Sequence, residues 1–322
     1  MLKELGLFTA GLVLLVKGAD LLIEGSSSVA KRFGIPDFVI GLTLVAFGTS
    51  LPEFTVNTAA ALKGASDISL GNVVGSNVAN ILLILGLAAL VRPITVNLTF
   101  VKKEIPVNFF LTLTVIAMAN DALLDGAAAS FISRTDGLVL MVTFVGYMYF
   151  LVAYLQREAP AAEELKELLP LPKALLFTLL GLTGLVLGAD WTVDGAVGLA
   201  KAFGVSEALI GLFMVAVGTS LPELSASVVS AYRGHPDIAL GNVAGSNIFN
   251  LTLVLGTSAV IRSVPVPERA NVDLTVLFFA TLLLLISSLA GRRRYTIDRL
   301  EGAFFVLTYF TYAVLSWLWE LS

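Results

Sequence analysis

The chain has 322 residues, of which 57% are hydrophobic and only 14% are charged, and its mean hydropathy is +0.90. Soluble domains carry about 25% charged residues, so this composition predicts a protein that crosses a membrane several times. There is no cysteine, which excludes disulfides, thiolate metal sites and a cysteine nucleophile, and the single histidine is His235. The net charge of −4 says little about partners, because most of the chain is expected to lie in the bilayer.

Ten apolar stretches are near the twenty residues that are needed to cross about 30 Å of hydrocarbon. They are predicted at 6–24, 36–62, 70–91, 105–120, 136–155, 173–190, 206–232, 240–262, 271–290 and 300–318. The second and the seventh are long enough to tilt or to contain a break. The sequence therefore predicts an all-α integral membrane protein with ten transmembrane helices, of which helices 2 and 7 are broken.

The sequence is duplicated at a spacing of 170 residues. Residues 41–80 read GLTLVAFGTSLPEFTVNTAAALKGASDISLGNVVGSNVAN, and residues 211–250 read GLFMVAVGTSLPELSASVVSAYRGHPDIALGNVAGSNIFN, with no gap between the copies. The first apolar stretch belongs to the repeat, since its Gly18-Ala19-Asp20 recurs as Gly188-Ala189-Asp190. We therefore expect it to be retained and not removed as a signal peptide.

Each repeat holds five predicted helices, and an odd number has a topological consequence. The second repeat must enter the membrane from the opposite side, which is typical of secondary transporters with a site at the repeat interface. The predicted division is 1–155 for the first repeat, 156–172 for a short cytoplasmic linker and 173–322 for the inverted second repeat. The linker is acidic, flanked by proline and too short for a folded regulatory domain.

Lysine and arginine in the loops predict the orientation. With the N-terminus outside, thirteen of them fall in cytoplasmic loops and six in outer loops, and Lys17 lies inside the first helix. Positive charge is enriched on the cytoplasmic side of membrane proteins. We therefore expect a multi-pass protein of the plasma (inner) membrane with both termini outside the cytoplasm.

Two carboxylates lie at corresponding positions inside apolar stretches. Glu53 and Glu223 each follow directly after Gly-Thr-Ser-Leu-Pro, and a charged side chain at this depth costs roughly 3 kcal/mol on insertion scales. For a single such Glu there is a simpler alternative: it stays protonated and serves only to donate a hydrogen bond between two helices. Two of them in matched repeats favour one cation site, formed where the two halves meet at the membrane midplane.

The surrounding residues supply further oxygen atoms. Proline obstructs the helix one turn back, so the break is expected to free backbone carbonyls. Threonine lies four residues before each glutamate, and Ser and Asn repeat that spacing in the next helix, which puts each pair on one helix face. Oxygen ligands without His or Cys predict a hard cation such as Ca²⁺ or Na⁺, and not zinc or copper. The candidates are Glu53, Glu223, Thr49, Thr219, Ser76, Asn80, Ser246, Asn250 and the carbonyls of Ala46 and Ala216.

Four glycines recur at four-residue spacing in the third and eighth predicted helices, at Gly71, Gly75, Gly241 and Gly245. Small residues at this spacing let helices approach closely in a membrane. We expect them to serve packing more than direct cation binding.

The paired motifs GTSLPE and GNVVGSN or GNVAGSN, duplicated and inverted, resemble the α-repeats of the sodium/calcium exchanger family in its compact prokaryotic form. This family belongs to the cation/calcium antiporter superfamily, and the resemblance covers the whole chain. It implies that Glu53 and Glu223 bind calcium and that the first and sixth helices slide as a pair against the other eight. It also implies that calcium or sodium is bound by Thr49, Ser50, Thr219 and Ser220. Sodium sites that flank the central calcium site would be formed by Ser76, Ser246 and the carbonyls of Ala46 and Ala216.

One position departs from some relatives. Asn250 stands where potassium-dependent members carry an acidic residue, and it faces Asn80 of the first repeat. Its neutral side chain disfavours potassium co-transport and leaves the predicted site with two formal negative charges.

The function expected from these features is Ca²⁺ antiport driven by Na⁺, extruding Ca²⁺ by alternating access. H⁺/Ca²⁺ exchange in the same fold is the alternative, although the hydroxyl-rich flanks favour Na⁺. A cation channel would place its acidic rings around an axis between subunits, and a membrane enzyme would need a nucleophile–base pair or a His cluster. The expected partners are Ca²⁺, Na⁺ and membrane lipid, with no cofactor, no nucleic acid and no obligate protein partner.

Overall fold

The computed structural model describes residues 2–98, 100–124, 126, 129–157, 168–203, 218–267 and 269–321. These residues form ten helical segments, called the first to tenth spans, of which the described part of the seventh is 13 residues long. In chain order they are Leu2–Arg32; Asp37–Thr49 with Leu51–Lys63; Ile68–Val91; Phe100–Glu104 continued by Ile105–Met118; Arg134–Arg157; Leu171–Ala202; Leu221–Arg233; Pro236–Ile261; Ala270–Ala290; and Arg299–Leu321. Six of the described helices are each long and apolar enough to cross a membrane, and the bent second span makes a seventh. The predicted all-α membrane fold is confirmed.

The first and sixth spans extend well beyond the apolar runs from which they were predicted. Polar residues such as Ser26 stop the hydropathy signal, but Ser26 is fully buried, so the helix continues against protein instead of lipid. The two helices touch backbone to backbone: a Cβ at Gly18 would lie 2.8 Å from the nitrogen of Leu185, and one at Gly181 would lie 2.4 Å from that of Leu22. Glycine thus lets these two spans pack as one unit.

The second span is broken where the sequence predicts it. Its helix stops at Thr49, Ser50 has φ −83° and ψ 5°, and a new helix starts at Leu51, at an angle of 43° to the first. Ser220 has nearly the same angles, φ −89° and ψ 5°, at the start of the described part of the seventh span. Positions 206–217 of the predicted seventh helix and 158–167 of the predicted linker lie outside the described residues, and the boundaries 1–155, 156–172 and 173–322 stay predictions.

Four short strands relate the two halves. The strands are β1 Ile94–Thr95, β2 Phe131–Ile132, β3 Val264–Pro265 and β4 Thr296–Ile297. β1 follows the third span as β3 follows the eighth, yet β1 pairs with β4 and β2 pairs with β3, both antiparallel. Five spans separate β1 from β3, so the two ribbons lie on opposite membrane faces. This is the arrangement that inverted repeats produce.

Arginine contacts repeat the same two-fold relation. Arg134 donates to the carbonyl oxygen of Ile261 at 3.2 Å, and Arg299 donates to that of Val91 at 3.3 Å. The two arginines are the first residues of the fifth and tenth spans. The two acceptors, Val91 and Ile261, are the last residues of the third and eighth spans. The halves therefore hold each other through reciprocal contacts.

The third and eighth spans form the centre of the molecule. In the most apolar 18-residue stretch of each span, the buried share is 78% for the third and 94% for the eighth. It is 33% for the first and the sixth and 17% for the tenth. A helix buried on all sides can carry polar residues away from lipid. These two spans therefore position the site, together with the broken spans that cross them.

Candidate cation site

The two predicted carboxylates are buried at the centre of the bundle. Glu53 is 0% exposed and Glu223 is 1% exposed. Each lies in the first turn of the helix that starts after the break. Because the amino end of a helix carries partial positive charge, the break supports a negative side chain at this depth.

Each carboxylate is contacted by the broken turn of the other repeat. Ser50 donates a hydrogen bond of 2.9 Å to Oε1 of Glu223, and Ser220 donates one of 3.2 Å to Oε1 of Glu53. The Ser220 hydroxyl oxygen also lies 3.2 Å from the hydroxyl oxygen of Ser76, within hydrogen-bond distance. These crossed contacts join the second, third and seventh spans into one site that neither repeat can build alone.

Thr49 and the carbonyl of Ala46 are hydrogen-bonded to other residues of the protein. Thr49 donates to Oδ1 of Asn242 at 3.1 Å. The carbonyl of Ala46, expected to be freed by the break, accepts the N–H of Ser50 at 3.0 Å, and its oxygen lies 3.3 Å from the Thr49 hydroxyl oxygen. The expectation of a free carbonyl is wrong for this conformation, because the helix continues to Thr49 before it breaks. Whether that oxygen binds sodium stays a prediction, and Ala216 lies outside the described residues.

Asparagines bridge the two central spans beside the carboxylates. Asn80 donates to Oδ1 of Asn247 at 2.9 Å, and Asn250 donates to Oδ1 of Asn77 at 3.0 Å. Asn77 donates to the carbonyl oxygen of Asn247 at 3.2 Å. Asn80 and Asn250 lie in wide π-helical turns, Ala79–Ile84 and Asn250–Val254, which often occur at functional sites. The predicted pair is thus part of a four-asparagine network.

Several buried oxygens of the site have no hydrogen-bond partner among the described residues. They are the second carboxylate oxygens of Glu53 and Glu223, the hydroxyls of Thr219 and Ser246, and Oδ1 of Asn80 and Asn250. A buried polar atom without a partner is costly, and such atoms are rare in native proteins. Carboxylate, hydroxyl and amide oxygens are the ligands that hard cations take, so the donor set fits a transported cation.

The structure adds residues that the sequence reasoning missed. Asn77, Asn247 and Asn242 all make hydrogen bonds at the site. A signal was present, because each of them belongs to the duplicated GNVVGSN or GNVAGSN motif. Nothing in the motif tells a ligand from a residue that holds two helices together.

Comparison with known proteins gives a consistent result. A family model described as "Sodium/calcium exchanger protein" matches residues 3–153 and 173–318. The inner membrane protein YrbG of Escherichia coli (strain K12) is 40% identical over 294 residues, 88% of each chain. The sodium/calcium exchanger MaX1 of Methanosarcina acetivorans is 34% identical over 337 aligned positions, 94% of this chain and 95% of that protein.

A solved structure has the same fold over almost the whole length. The sodium-calcium exchanger NCX_Mj, soaked with 2.5 mM Na⁺ and 0.1 mM Ca²⁺, superposes with a TM-score of 0.81, 33% identity and 97% coverage of both chains. MaX1 and NCX_Mj are both named as sodium/calcium exchangers, and YrbG is named as an inner membrane protein. From these matches and from the site that its two inverted repeats share, this chain belongs to the sodium/calcium exchanger protein family.

Proposed function

We propose that this protein is a secondary active antiporter that exchanges Ca²⁺ for Na⁺ by alternating access. The observation that carries the proposal is the crossed pair of contacts, in which Ser50 reaches Glu223 and Ser220 reaches Glu53. Two buried carboxylates from opposite repeats thereby share one oxygen-lined site. The relatives named as sodium/calcium exchangers support the same pair of ions.

The charge of the site explains why transport is coupled. Two buried carboxylates are expensive to enclose without compensating positive charge. One Ca²⁺ balances both, and so do two or more Na⁺ distributed over the neighbouring oxygens. If only neutralised sites pass through the closed intermediate, an empty carrier cannot return, and the protein exchanges ions without leaking them. Extrusion of Ca²⁺ then follows from an inward Na⁺ gradient across the plasma (inner) membrane.

Sodium is favoured over protons as the counter-ion. Protons need only the two carboxylates, whereas Na⁺ needs several neutral oxygens. The structure supplies such oxygens in the buried hydroxyls of Thr219 and Ser246 and the amides of Asn80 and Asn250. We infer that these positions, with Thr49, Ser50, Ser76 and Ser220, bind Na⁺ or Ca²⁺ in turn.

The counter-ion is identified by a flux measurement. Purified protein in proteoliposomes is loaded with Na⁺, K⁺ or buffer of a different pH, and uptake of ⁴⁵Ca²⁺ is followed after dilution. We expect rapid uptake only with an outward Na⁺ gradient. Equal uptake under a proton gradient alone would identify H⁺ and not Na⁺ as the counter-ion. Uptake without any counter-cation would contradict an exchange mechanism.

Neutralising either carboxylate is expected to abolish this uptake. Glu53→Gln and Glu223→Gln keep the side-chain shape but remove one of two charges, so Ca²⁺ is no longer balanced, and we expect rates to fall at least about 100-fold. Glu104→Gln is the matched control, because Glu104 is 2% exposed but hydrogen-bonds Tyr147 and not the site. Wild-type uptake in either site variant would exclude that carboxylate as a ligand.

A further inference from the structure

A bidentate ion pair joins the first span to the seventh. Nε of Arg233 donates a hydrogen bond of 2.9 Å to Oδ1 of Asp20, and a terminal guanidinium nitrogen lies 2.8 Å from Oδ2. A guanidinium that binds both oxygens of a carboxylate fixes the direction of approach as well as the distance. Since Arg233 is the last residue of the seventh span, the pair sets the position of the first span along that helix.

Other contacts hold the first span at the same end of the seventh. Ala226 is 0% exposed and belongs to the apolar cluster that contains Leu22 of the first span. Ser27 donates to Oδ1 of Asp37 at 3.2 Å, and Oδ2 of Asp37 lies 2.7 Å from Nδ1 of His235, in the loop after the seventh span. The first span is therefore packed against the face of the molecule that carries the 234–235 loop.

The duplication places the same charges on the opposite face. Asp20 and Arg233 correspond to Asp190 and Lys63 at the spacing of 170 residues. Asp190 lies on the sixth span, and Lys63 is the last residue of the second span. Because the repeats are inverted, Lys63 ends its helix at the face of the 64–66 loop, across the membrane from Arg233. A second acid–base pair is thus available on the other side.

Only one of these two equivalent pairs is made. Asp190 and Lys63 both lie within the described residues and both are exposed, yet no ion pair joins them. The two helix ends themselves are alike, since Gly64 and Gly234 follow them with φ of 88° and 91°. The difference therefore lies in where the first and sixth spans are placed against the rest of the molecule.

The first and sixth spans each carry a second acid one turn further on. Glu24 follows Asp20, and Asp194 follows Asp190. Like charges at this spacing on a helix repel each other, and Asp190 and Asp194 do so here. On the first span Arg233 relieves the repulsion, because it attracts Glu24 as well as Asp20. On the sixth span the corresponding repulsion is left for a cation such as the one at position 63 to relieve.

The first and sixth spans can shift only as one body, because they pack backbone to backbone through glycine. Asp20 and Asp190 are therefore carried together. Arg233 and Lys63 end helices of the other body, at its two opposite faces. In the described placement the first body brings one acid to its base and leaves the other acid without its base.

We propose that Asp20–Arg233 and Asp190–Lys63 are alternating ion pairs, and that each is made in only one of the two access states of the transport cycle. A shift of the first and sixth spans towards the face of the 64–66 loop breaks the first pair and forms the second. The four residues do not bind the transported ion; they position the two spans at the two ends of the shift. The inference rests on the proposed function only in that the protein has two access states.

Cross-linking tests whether the second pair forms. The chain has no native cysteine, so Asp190→Cys with Lys63→Cys gives two thiols that a short bifunctional maleimide links only when the positions meet. We expect the link to form in proteoliposomes of the full-length protein, although these residues are unpaired in the structure. Adding Asp20→Asn releases the opposite pair and should raise the linking rate about threefold, since an ion pair with a 55% exposed arginine contributes modestly. Lys17→Gln, which removes another exposed charge of the first span, is the matched control and should leave the rate unchanged.

A link that never forms would overturn the alternation, and so would a linking rate that Asp20→Asn leaves unchanged. If Asp20→Asn does not fold, Arg233→Gln releases the same pair and is read in the same way. Linked peptides are identified by mass spectrometry, which reports movement without transport. A protein that forms the link but does not exchange Ca²⁺ for Na⁺ would therefore refute the proposed function and leave the alternating pairs standing.

A charge exchange gives an independent reading. Lys63→Asp places a third acid beside Asp190 and Asp194 in the second state, and we expect ⁴⁵Ca²⁺ uptake to slow about threefold or more. Adding Asp190→Lys rebuilds the pair with its charges exchanged and should restore uptake to within about twofold of wild type, because residues that meet have coupled effects. Two losses that simply add would show that the residues never meet and would overturn the second pair.

Discussion

Tyrosine–carboxylate pairs, one buried and one half-buried, recur in the two repeats outside the cation site. The Tyr147 hydroxyl donates to Oε2 of Glu104 at 2.7 Å, and the Tyr312 hydroxyl donates to Oδ1 of Asp273 at 2.8 Å. Each pair joins the last two spans of its repeat. Neither pair contacts the site through a described hydrogen bond, and each ties together two helices beside the broken spans.

Removing the two tyrosine hydroxyls should cost different amounts of stability. Tyr147→Phe leaves the carboxyl of Glu104, 2% exposed, without its partner, and we expect the free energy of unfolding to fall by about 1–3 kcal/mol. Tyr312→Phe should cost less, because Asp273 keeps Arg269 at 3.8 Å and is 15% exposed. Thermal unfolding of the purified variants measures both, and an equal loss would mean that burial does not set the cost.

At the scale of elements, the glycines of the third and eighth spans have the same sequence spacing but different surroundings. A Cβ at Gly241 would lie 2.3 Å from the carbonyl oxygen of Phe38 and 2.7 Å from the nitrogen of Leu42, and one at Gly245 would lie 2.4 Å from the carbonyl oxygen of Leu42. Apart from chain neighbours and the backbone of the same helix, no described atom would lie within 4 Å of a Cβ at Gly71 or Gly75; positions 208 and 212, the counterparts of Phe38 and Leu42, lie outside the described residues. The predicted packing role therefore holds for the eighth span in this conformation.

The contrast predicts opposite effects of one methyl group. Gly241→Ala pushes the second span away from the eighth, because backbone atoms cannot move aside as a side chain can, and we expect a loss of about 1–3 kcal/mol. Gly71→Ala meets no described atom beyond its own stretch of helix and replaces a glycine that weakens the helix, so we expect stability unchanged or higher by up to about 1 kcal/mol. Thermal unfolding of both variants decides, and a larger loss at Gly71 would show that the third span is packed there after all.

At the scale of the whole molecule, the two ribbons and the arginine contacts establish that the repeats are inverted, but not which face is cytoplasmic. The loop charges predict that both termini lie outside. That orientation also places the 64–66 loop on the outer side.

The absence of native cysteine makes the orientation directly measurable. Lys3→Cys and Arg293→Cys each add one thiol at an exposed position on opposite predicted sides. A membrane-impermeant maleimide added to intact cells should label Lys3→Cys, and Arg293→Cys only after permeabilisation. The reverse pattern would invert the orientation while leaving fold and site unchanged.

Much of this protein follows from its sequence alone. Hydropathy marks the membrane fold, and the 170-residue duplication places Glu53 and Glu223 in equivalent, opposed positions, because carboxylates at such depth are retained only where something compensates their burial. The break at Ser50 follows from local chemistry, since proline cannot continue the hydrogen-bonded ladder. Family motifs then point to the ions.

Only the tertiary structure decided how the halves combine. That Ser50 binds the opposite repeat's Glu223, that Asn242 is paired while Asn72 is not, and that the Ala46 carbonyl is occupied all depend on contacts between residues far apart in the chain. The duplicated motifs are nearly identical, so sequence treats the two halves as equivalent. Among the described residues their packing does not, because a hydrogen bond between distant residues depends on how the helices are placed and not on the motif alone.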